Sequence, residues 1–329
     1  MSVHVPMSTG SGAMGAATAA STKTRAATGS PLPPLEARAL GRALTQVADM
    51  TDPFRMPPEL ELANACWRIG FTGPPGAGKS SLVGRMAVER HPGKRLGVLA
   101  IDPSSPVTGG AILGDRLRMD HLPGIEHVFV RSLAARSSTD GLADNLPDLL
   151  DLFTTHRFDE VMLETVGVGQ PEVAGRSHVD TLVLVLPPDA GDVIQAMKAG
   201  ILEVADIVVV NKADLPGARR MASNVTESVR ESGHGSSWTV PVLLTCQDDA
   251  ASITAVSQAI DHHRSWLAEH TSREAALLLR ERHRTLRQLE RMVRTELDQR
   301  PGEFFQMPVA QQMANVCAAL VRQLDRSSS

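Results

Sequence analysis

Aromatic side chains are scarce in this chain: tyrosine is missing altogether, and Phe and Trp bring the aromatic share to only 3% of 329 residues. A core built from such a sequence rests on Leu, Val, Ile, Ala and Met. The hydrophobic fraction of 42% is enough for one large α/β domain with helical attachments, or for two modest domains. An excess of charge is lacking too. Thirty-three basic against 37 acidic residues leave a formal charge of -4, whereas a nucleic-acid binder normally carries a basic footprint. Nucleic acid is therefore not expected as a partner. Paired cysteines are also missing: Cys66, Cys246 and Cys317 lie far apart with no CxxC spacing, which points to reduced thiols in a cytoplasmic protein. No apolar run approaches the roughly 18 to 20 residues that span a bilayer, so no membrane segment is expected. The first 34 residues lack any acidic side chain and are rich in Ala, Ser, Thr, Gly and Pro. With only Lys23 and Arg25 as strong bases and no amphipathic stripe, they read as an unstructured tail rather than a cleaved targeting peptide.

What the chain does have is α/β alternation. A helix is expected over 35–50, with Leu35, Ala39, Ala43 and Val47 on one face, and Pro57-Pro58 open a short helix before the first strand. Strands are expected at Cys66–Phe71, Leu96–Ile101, His127–Val130, Glu160–Glu164, Thr181–Leu186, Ile207–Val210 and Val240–Leu244. The near-continuous apolar runs VMLE, LVLVL and IVVV suit central strands covered on both faces, hence a mostly parallel sheet between helices. After Ile253 the chain turns helical, with a long charged helix over Ser272–Gln299 and a shorter one over Ala310–Leu324. The long helix repeats Leu279, Leu286 and Val293 every seven residues, with Leu289 and Leu297 beside them, and the shorter one carries Met313, Val316, Leu320 and Leu324. Such stripes make either a dimer seam or a face folded back on the chain's own domain.

The strongest local signal is Gly73-Pro74-Pro75-Gly76-Ala77-Gly78-Lys79-Ser80, followed by Ser81. It fits GxxxxGKS between a strand and a helix, the context in which backbone N–H groups cradle phosphates. Lys79 then neutralises the β- and γ-phosphates, and Ser80 gives its hydroxyl to Mg2+. The base is chosen by Asn211-Lys212-Ala213-Asp214, which fits NKxD directly after the run IVVV. A carboxylate at Asp214 accepts hydrogen bonds from guanine N1–H and its exocyclic amine, a pair that adenine does not offer, so the nucleotide is expected to be GTP or GDP. Glu164-Thr165-Val166-Gly167 follows another buried strand, which puts Glu164 at the sheet's carboxyl edge and lets Gly167 turn its N–H to the γ-phosphate. Asp102 follows the second strand in the same way, and Asp115 lies on a Gly-rich segment able to close over the nucleotide. Ordinary solvated turn carboxylates are the plain alternative for these three acids. Whether Glu164 positions water, holds magnesium through water or relays switching stays open.

These stretches resemble the MeaB/ArgK family of P-loop GTPases. The resemblance is carried by GPPGAGKS at 73–80, DPSSP at 102–106, GGAILGDRLRM at 109–119, ETVGVGQPE at 164–172, GDVIQAMKAGILEVAD at 191–206 and NKAD at 211–214. It implies a P-loop GTPase fold with helical extensions, slow GTP hydrolysis raised by a partner, and service to an adenosylcobalamin-dependent acyl-CoA mutase. It implies Asp115 as a magnesium-site aspartate with Asp102 close by, and Glu164 where most GTPases have aspartate. It also implies a third mobile loop in which Asp192, Gln195 and Lys198 couple nucleotide state to the mutase, and a homodimer built through helices. The expected division is a disordered tail over 1–34, a helical extension over 35–65, the GTPase domain over 66–270 and a helical dimerisation extension over 271–329. The chain departs from the family's pattern at Arg136–Gly141, at Pro188-Asp189-Ala190-Gly191-Asp192, and at Cys246-Gln247, which stand where a Ser-Ala or Ser-Gly pair usually backs the guanine. Two other classes stay open: a metallochaperone GTPase for another metalloenzyme, for which His262-His263 makes a poor metal cluster, and a small-molecule kinase, against which NKAD speaks.

Overall fold

The computed structural model describes residues 31–49, 66–103, 127–135, 145–165, 176–189, 201–231 and 237–327. The apolar runs form seven strands: β1 Trp67–Thr72, β2 Leu96–Pro103, β3 Val128–Ala135, β4 Glu160–Glu164, β5 Thr181–Leu186, β6 Ile207–Asn211 and β7 Val242–Thr245. They make one sheet in the order β3-β2-β4-β1-β5-β6-β7, and every pairing is parallel. Parallel neighbours need helical crossovers, and the crossovers bury both faces of the sheet.

The two-residue period of β5 shows how the faces divide. Leu182, Leu184 and Leu186 enter one core, while Val183 and Val185 enter the other. The first core is closed by α1 Pro34–Ala48, α3 Leu146–Thr155 and α4 Ala218–Glu231, through Leu40, Leu149, Phe153 and Val225. The second is closed by α2 Lys79–Arg90 and α5 Ala250–His270, through Val83, Met86, Val256 and Ile260. At the opposite end from the candidate site, Glu160 is buried and accepts from Arg90, which also reaches Asp261, and this ties α2 and α5 to the start of β4.

Two expectations about helix faces are corrected. In α1 the buried side chains are Leu40 and Leu44, with Val47 packed beside them, whereas Leu35 is 79% exposed. A helix turns its bulkiest side chains inward, and the alanines of the expected stripe have little surface to bury. The long helix α6 Arg273–Asp298 begins at Ser272, whose hydroxyl accepts from the Ala275 N–H, and is followed by a 3₁₀ turn at Gly302–Gln306 and then α7 Val309–Ser327. Met292 of α6 packs with Phe304, Val316 and Leu320, and Val293, Leu297 and Leu324 lie against them. The seam is thus split: its second half is used within the helix pair, while Leu279, Leu286, Leu289 and Met313 stay exposed. What joins α6 to the sheet domain is charge, through Arg280 with Asp180 and Arg284 with Asp148 and Asp151.

Candidate functional site

Strand β1 lies between β4 and β5, and the chain leaves its carboxyl end through Gly73–Gly78 into α2. In an open parallel sheet, this crevice at the strand ends is where ligands bind. The loop needs glycine for physical reasons. Gly73 has φ +143°, and a Cβ there would come 1.9 Å from the Val185 carbonyl oxygen. Gly78 has φ +86°, and a Cβ there would meet Asn211 Nδ2 at 2.4 Å. Without side chains at these points the loop closes against β5 and β6 at once.

Lys79 and Ser80 open α2 and are both buried. Lys79 Nζ donates to the Gly73 carbonyl at 2.8 Å and the Pro74 carbonyl at 3.1 Å, so the ammonium is held across the mouth of its own loop. Glu164 pairs in register with Phe71 and Ala100, which brings its carboxylate to the same edge, where Ser80 Oγ donates to Oε1 at 2.7 Å. A hydroxyl and a carboxylate side by side are hard oxygen donors of the kind that suit Mg2+, so the residues present fit the ion that the motif implies. Asp102 is the penultimate residue of β2, two positions beyond the Ala100 that pairs with Glu164, and so stands farther toward this edge. Asp115, Gly167, Asp192, Gln195 and Lys198 lie outside the described residues.

The NKxD segment reaches back to the phosphate loop. Asn211 Nδ2 donates to the Ala77 carbonyl at 2.8 Å, and Lys212 Nζ donates to the Gly76 carbonyl at 2.7 Å. Lys212 itself sits at φ 58°, a left-handed turn that starts the loop away from β6. Asp214 is exposed, and its Oδ1 accepts from the Cys246 thiol at 3.4 Å. Gly78, Ser81, Asn211, Lys212, Asp214 and Gln247 share one cleft of about 320 Å³. The other side of Lys212 borders a second hollow of about 450 Å³, formed with Pro75, Gly76, Pro188, Asp189 and Pro216. The structure therefore brings the two sequence words and the start of the third loop to a single edge.

Three contributors escaped the sequence reading. Thr245 donates its hydroxyl to Asn211 Oδ1 at 3.0 Å, Ser252 accepts from the Cys246 N–H at 3.2 Å, and Arg85 lines the cleft. Only Arg85 had a usable signal, since it lies one helical turn beyond Ser81 and shares its face.

A family model described as "Methylmalonyl Co-A mutase-associated GTPase MeaB" matches residues 56–303. A protein of Pyrococcus horikoshii named as a GTPase is 41% identical over 205 residues, which is 61% of this chain and 65% of that protein. The "Methylmalonic aciduria type A homolog, mitochondrial" of Mus musculus is 39% identical over 170 residues, covering 50% of this chain and 40% of that one. The chain thus matches just under two thirds of the length of the archaeal relative. Among solved structures, a "LAO/AO transport system kinase" superposes with a TM-score of 0.60 at 21% identity, over 88% of this chain and 93% of the other. At that identity the likeness speaks for the fold.

Proposed function

Because the chain belongs to the MeaB family of methylmalonyl-CoA mutase-associated GTPases, we propose that it binds GTP with Mg2+, hydrolyses it slowly and uses the cycle to gate adenosylcobalamin delivery to a cobalamin-dependent acyl-CoA mutase, or to protect that enzyme. One observation carries the reading. The side chains of Asn211 and Lys212 bond the carbonyls of Ala77 and Gly76, so the base-reading loop and the phosphate loop form one unit around the cleft that Asp214 borders.

In this reading the loop from Gly73 to Gly78 offers its N–H groups to the phosphates, and Lys79 swings its ammonium from the loop carbonyls to the β- and γ-phosphates. Ser80 would hold Mg2+ directly, with Glu164, Asp102 and Asp115 as the acids about it. When bound, the ion offsets charge on the phosphate oxygens. Water attacks the γ-phosphorus in line, Gly167 gives its N–H to the γ-phosphate, and Asp214 accepts from guanine N1–H and the 2-amine. Cys246 and Gln247 complete the base pocket. Asp189 stands beside Gly76 in the second hollow, which supports a third loop that senses the phosphate site and, through Asp192, Gln195 and Lys198, passes its state to the mutase.

We take the compartment to be the cytoplasm, in keeping with three unpaired cysteines. Among the described residues, no helix is long and apolar enough to cross a membrane. The exposed Leu279, Leu286 and Leu289 of α6 and Met313 of α7 support a homodimer through the C-terminal helices. The deciding experiment is GTP turnover by the purified chain with and without an acyl-CoA mutase. Turnover should be slow alone, faster with the mutase, and abolished in Lys79→Ala; a rate that survives Lys79→Ala would remove the activity from this site.

A further inference from the structure

Asp206 stands one residue before β6, and its buried carboxylate is a meeting point of three parts of the chain. Oδ2 accepts from the Leu182 N–H of β5 at 2.7 Å. Oδ1 accepts from Arg176 Nη2 at 3.2 Å, in the turn that leads to β5, and lies 3.3 Å from His263 Nε2 of α5. The other ring nitrogen of His263, Nδ1, is 3.0 Å from Thr181 Oγ1. A carboxylate beside Nε2 fixes the ring proton there, so Nδ1 accepts from the Thr181 hydroxyl and a neutral imidazole is satisfied on both sides. Trp238 closes the group: its Nε1–H donates to the Asp206 carbonyl at 2.8 Å, and its ring lies 4.8 Å from that of His263. Thr181 and His263 are buried, so no substrate reaches this line of hydroxyl, imidazole and carboxylate. Its role is not catalytic.

A proton cannot join this carboxylate without displacing a donor. Both oxygens already face N–H groups, and a carboxyl O–H would meet a donor on either side. The Leu182 N–H is fixed in the sheet and His263 in the core. Arg176, whose side chain is 32% exposed, is the donor with water to turn to. Among the described residues, the charged or titratable groups facing Asp206 are Arg176 and His263; β5 and the segment before β7 bring only uncharged neighbours. Burial pushes the Asp206 carboxyl up to about 6, against the pull of Arg176 and then of the Leu182 N–H. Burial, followed by the charge of Arg176, pushes His263 down to about 4. The carboxylate therefore takes its proton first. A carboxyl raised above its ordinary value of about 3.9 binds protons more readily in the folded chain, so its contribution to stability grows as the pH falls from about 6 toward about 4. Proton uptake here needs no unfolding.

Arg176 also ties its own turn. Nη1 donates to the Val179 carbonyl at 3.1 Å and to the Asp180 carbonyl at 3.5 Å. The Asp180 side chain in turn receives Arg280 of α6. We propose that Asp206 and Arg176 form a proton-operated clasp: protonation of the buried carboxylate releases the guanidinium and loosens the turn 176–180 on which α6 is seated.

The test is hydrogen exchange of the full chain, read by mass spectrometry on the amides of 176–180. It compares about pH 7.5, where a carboxyl of about 6 is charged, with about pH 5, where it is mostly protonated, after correction for the intrinsic pH dependence of exchange. His178 and His263, pushed down to about 3 and about 4, stay neutral over this range. Wild type should exchange about 10- to 100-fold faster in this turn at the lower pH, the factor that loss of a hydrogen bond to a charged group corresponds to. Asp206→Asn keeps the shape, turns an amide N–H toward the donors, and should exchange fast at both pH values. Equal protection of the wild-type turn at the two pH values overturns the proposal, and so does a pH step that survives in Asp206→Asn. Should Asp206→Asn misfold, Arg176→Met carries the test. It should exchange fast at both pH values, and a step of wild-type size in it would be equally decisive against the clasp.

Discussion

Asn211 is a strut between two loops: its amide donates to Ala77 at 2.8 Å, while its Oδ1 accepts from Thr245 at 3.0 Å. Asp214, three residues later, is exposed and reaches only the Cys246 thiol among the contacts seen. One word of sequence therefore holds a buried structural residue and an exposed residue that we propose reads the base.

Their variants should separate. Asn211→Ala leaves the Ala77 carbonyl and the Thr245 hydroxyl unpaired in a buried place, which costs about 1–3 kcal/mol. Urea unfolding should show that loss together with weaker binding of GDP. Asp214→Asn should leave the unfolding midpoint in place and lower only the preference for GDP over ADP. Equal destabilisation by the two would refute the division of labour.

Glu164 and Ser80 meet at 2.7 Å, so the carboxylate orients the hydroxyl expected to face the ion. Glu164→Gln keeps the shape and removes the charge. Loss of a group that orients a metal ligand typically costs about 10- to 100-fold in metal affinity or activity. GTP turnover measured against Mg2+ concentration should shift by that order to higher Mg2+, with GDP binding nearly preserved. A Mg2+ dependence that does not move would take Glu164 out of this role.

Acid should loosen the seat of α6. His178 is buried, and burial, followed by the charge of Arg68 and then of Arg287, His283 and Arg280, pushes its imidazole down to about 3. The unfolded chain, with a histidine near 6.5, binds more protons than the folded one between these values. Stability contributed here is therefore complete above about pH 6.5 and falls as the pH drops toward 3. Urea midpoints measured from pH 7 to pH 4 should decline more steeply for wild type than for His178→Gln. Parallel curves would show that His178 takes up its proton alike in the folded and the unfolded chain.

The homodimer is open to a direct measurement. Light scattering should give twice the chain mass for the full-length protein at micromolar concentration, and the monomer mass for a chain truncated after His270. The sheet domain of the truncated chain should still bind GDP, since α6 is joined to it by Arg280 and Arg284 rather than by a shared core. A full-length monomer would defeat the dimer; a dimer that survives truncation would move the contact elsewhere.

Much of the fold was legible because its signals are local. β4 and β5 occupy the spans read from VMLE and LVLVL, since strands covered on both faces carry an unbroken apolar run that little else produces. The glycines of the phosphate loop were legible for a similar reason: three of them, Gly73, Gly76 and Gly78, adopt positive φ, and only glycine does so at low cost. The end of the long helix was marked by Ser272 at its start and Pro301 after its close.

The sequence by itself determined which segments form strands and helices, and marked the short words proposed here for phosphate and base chemistry, because those depend on neighbours along the chain. Tertiary structure alone decided what faces what. It turned α1 on Leu40 and Leu44 instead of the expected stripe, since the face of a helix is set by the core available to it. It spent half of the α6 seam on Phe304 and α7 and left Leu279 and Leu286 outside. It also set Ser252 against the Cys246 N–H and brought Arg85 of α2 into the cleft of Asp214. The parallel sheet brings α2 beside a loop far along the chain, and no spacing in the sequence records that distance.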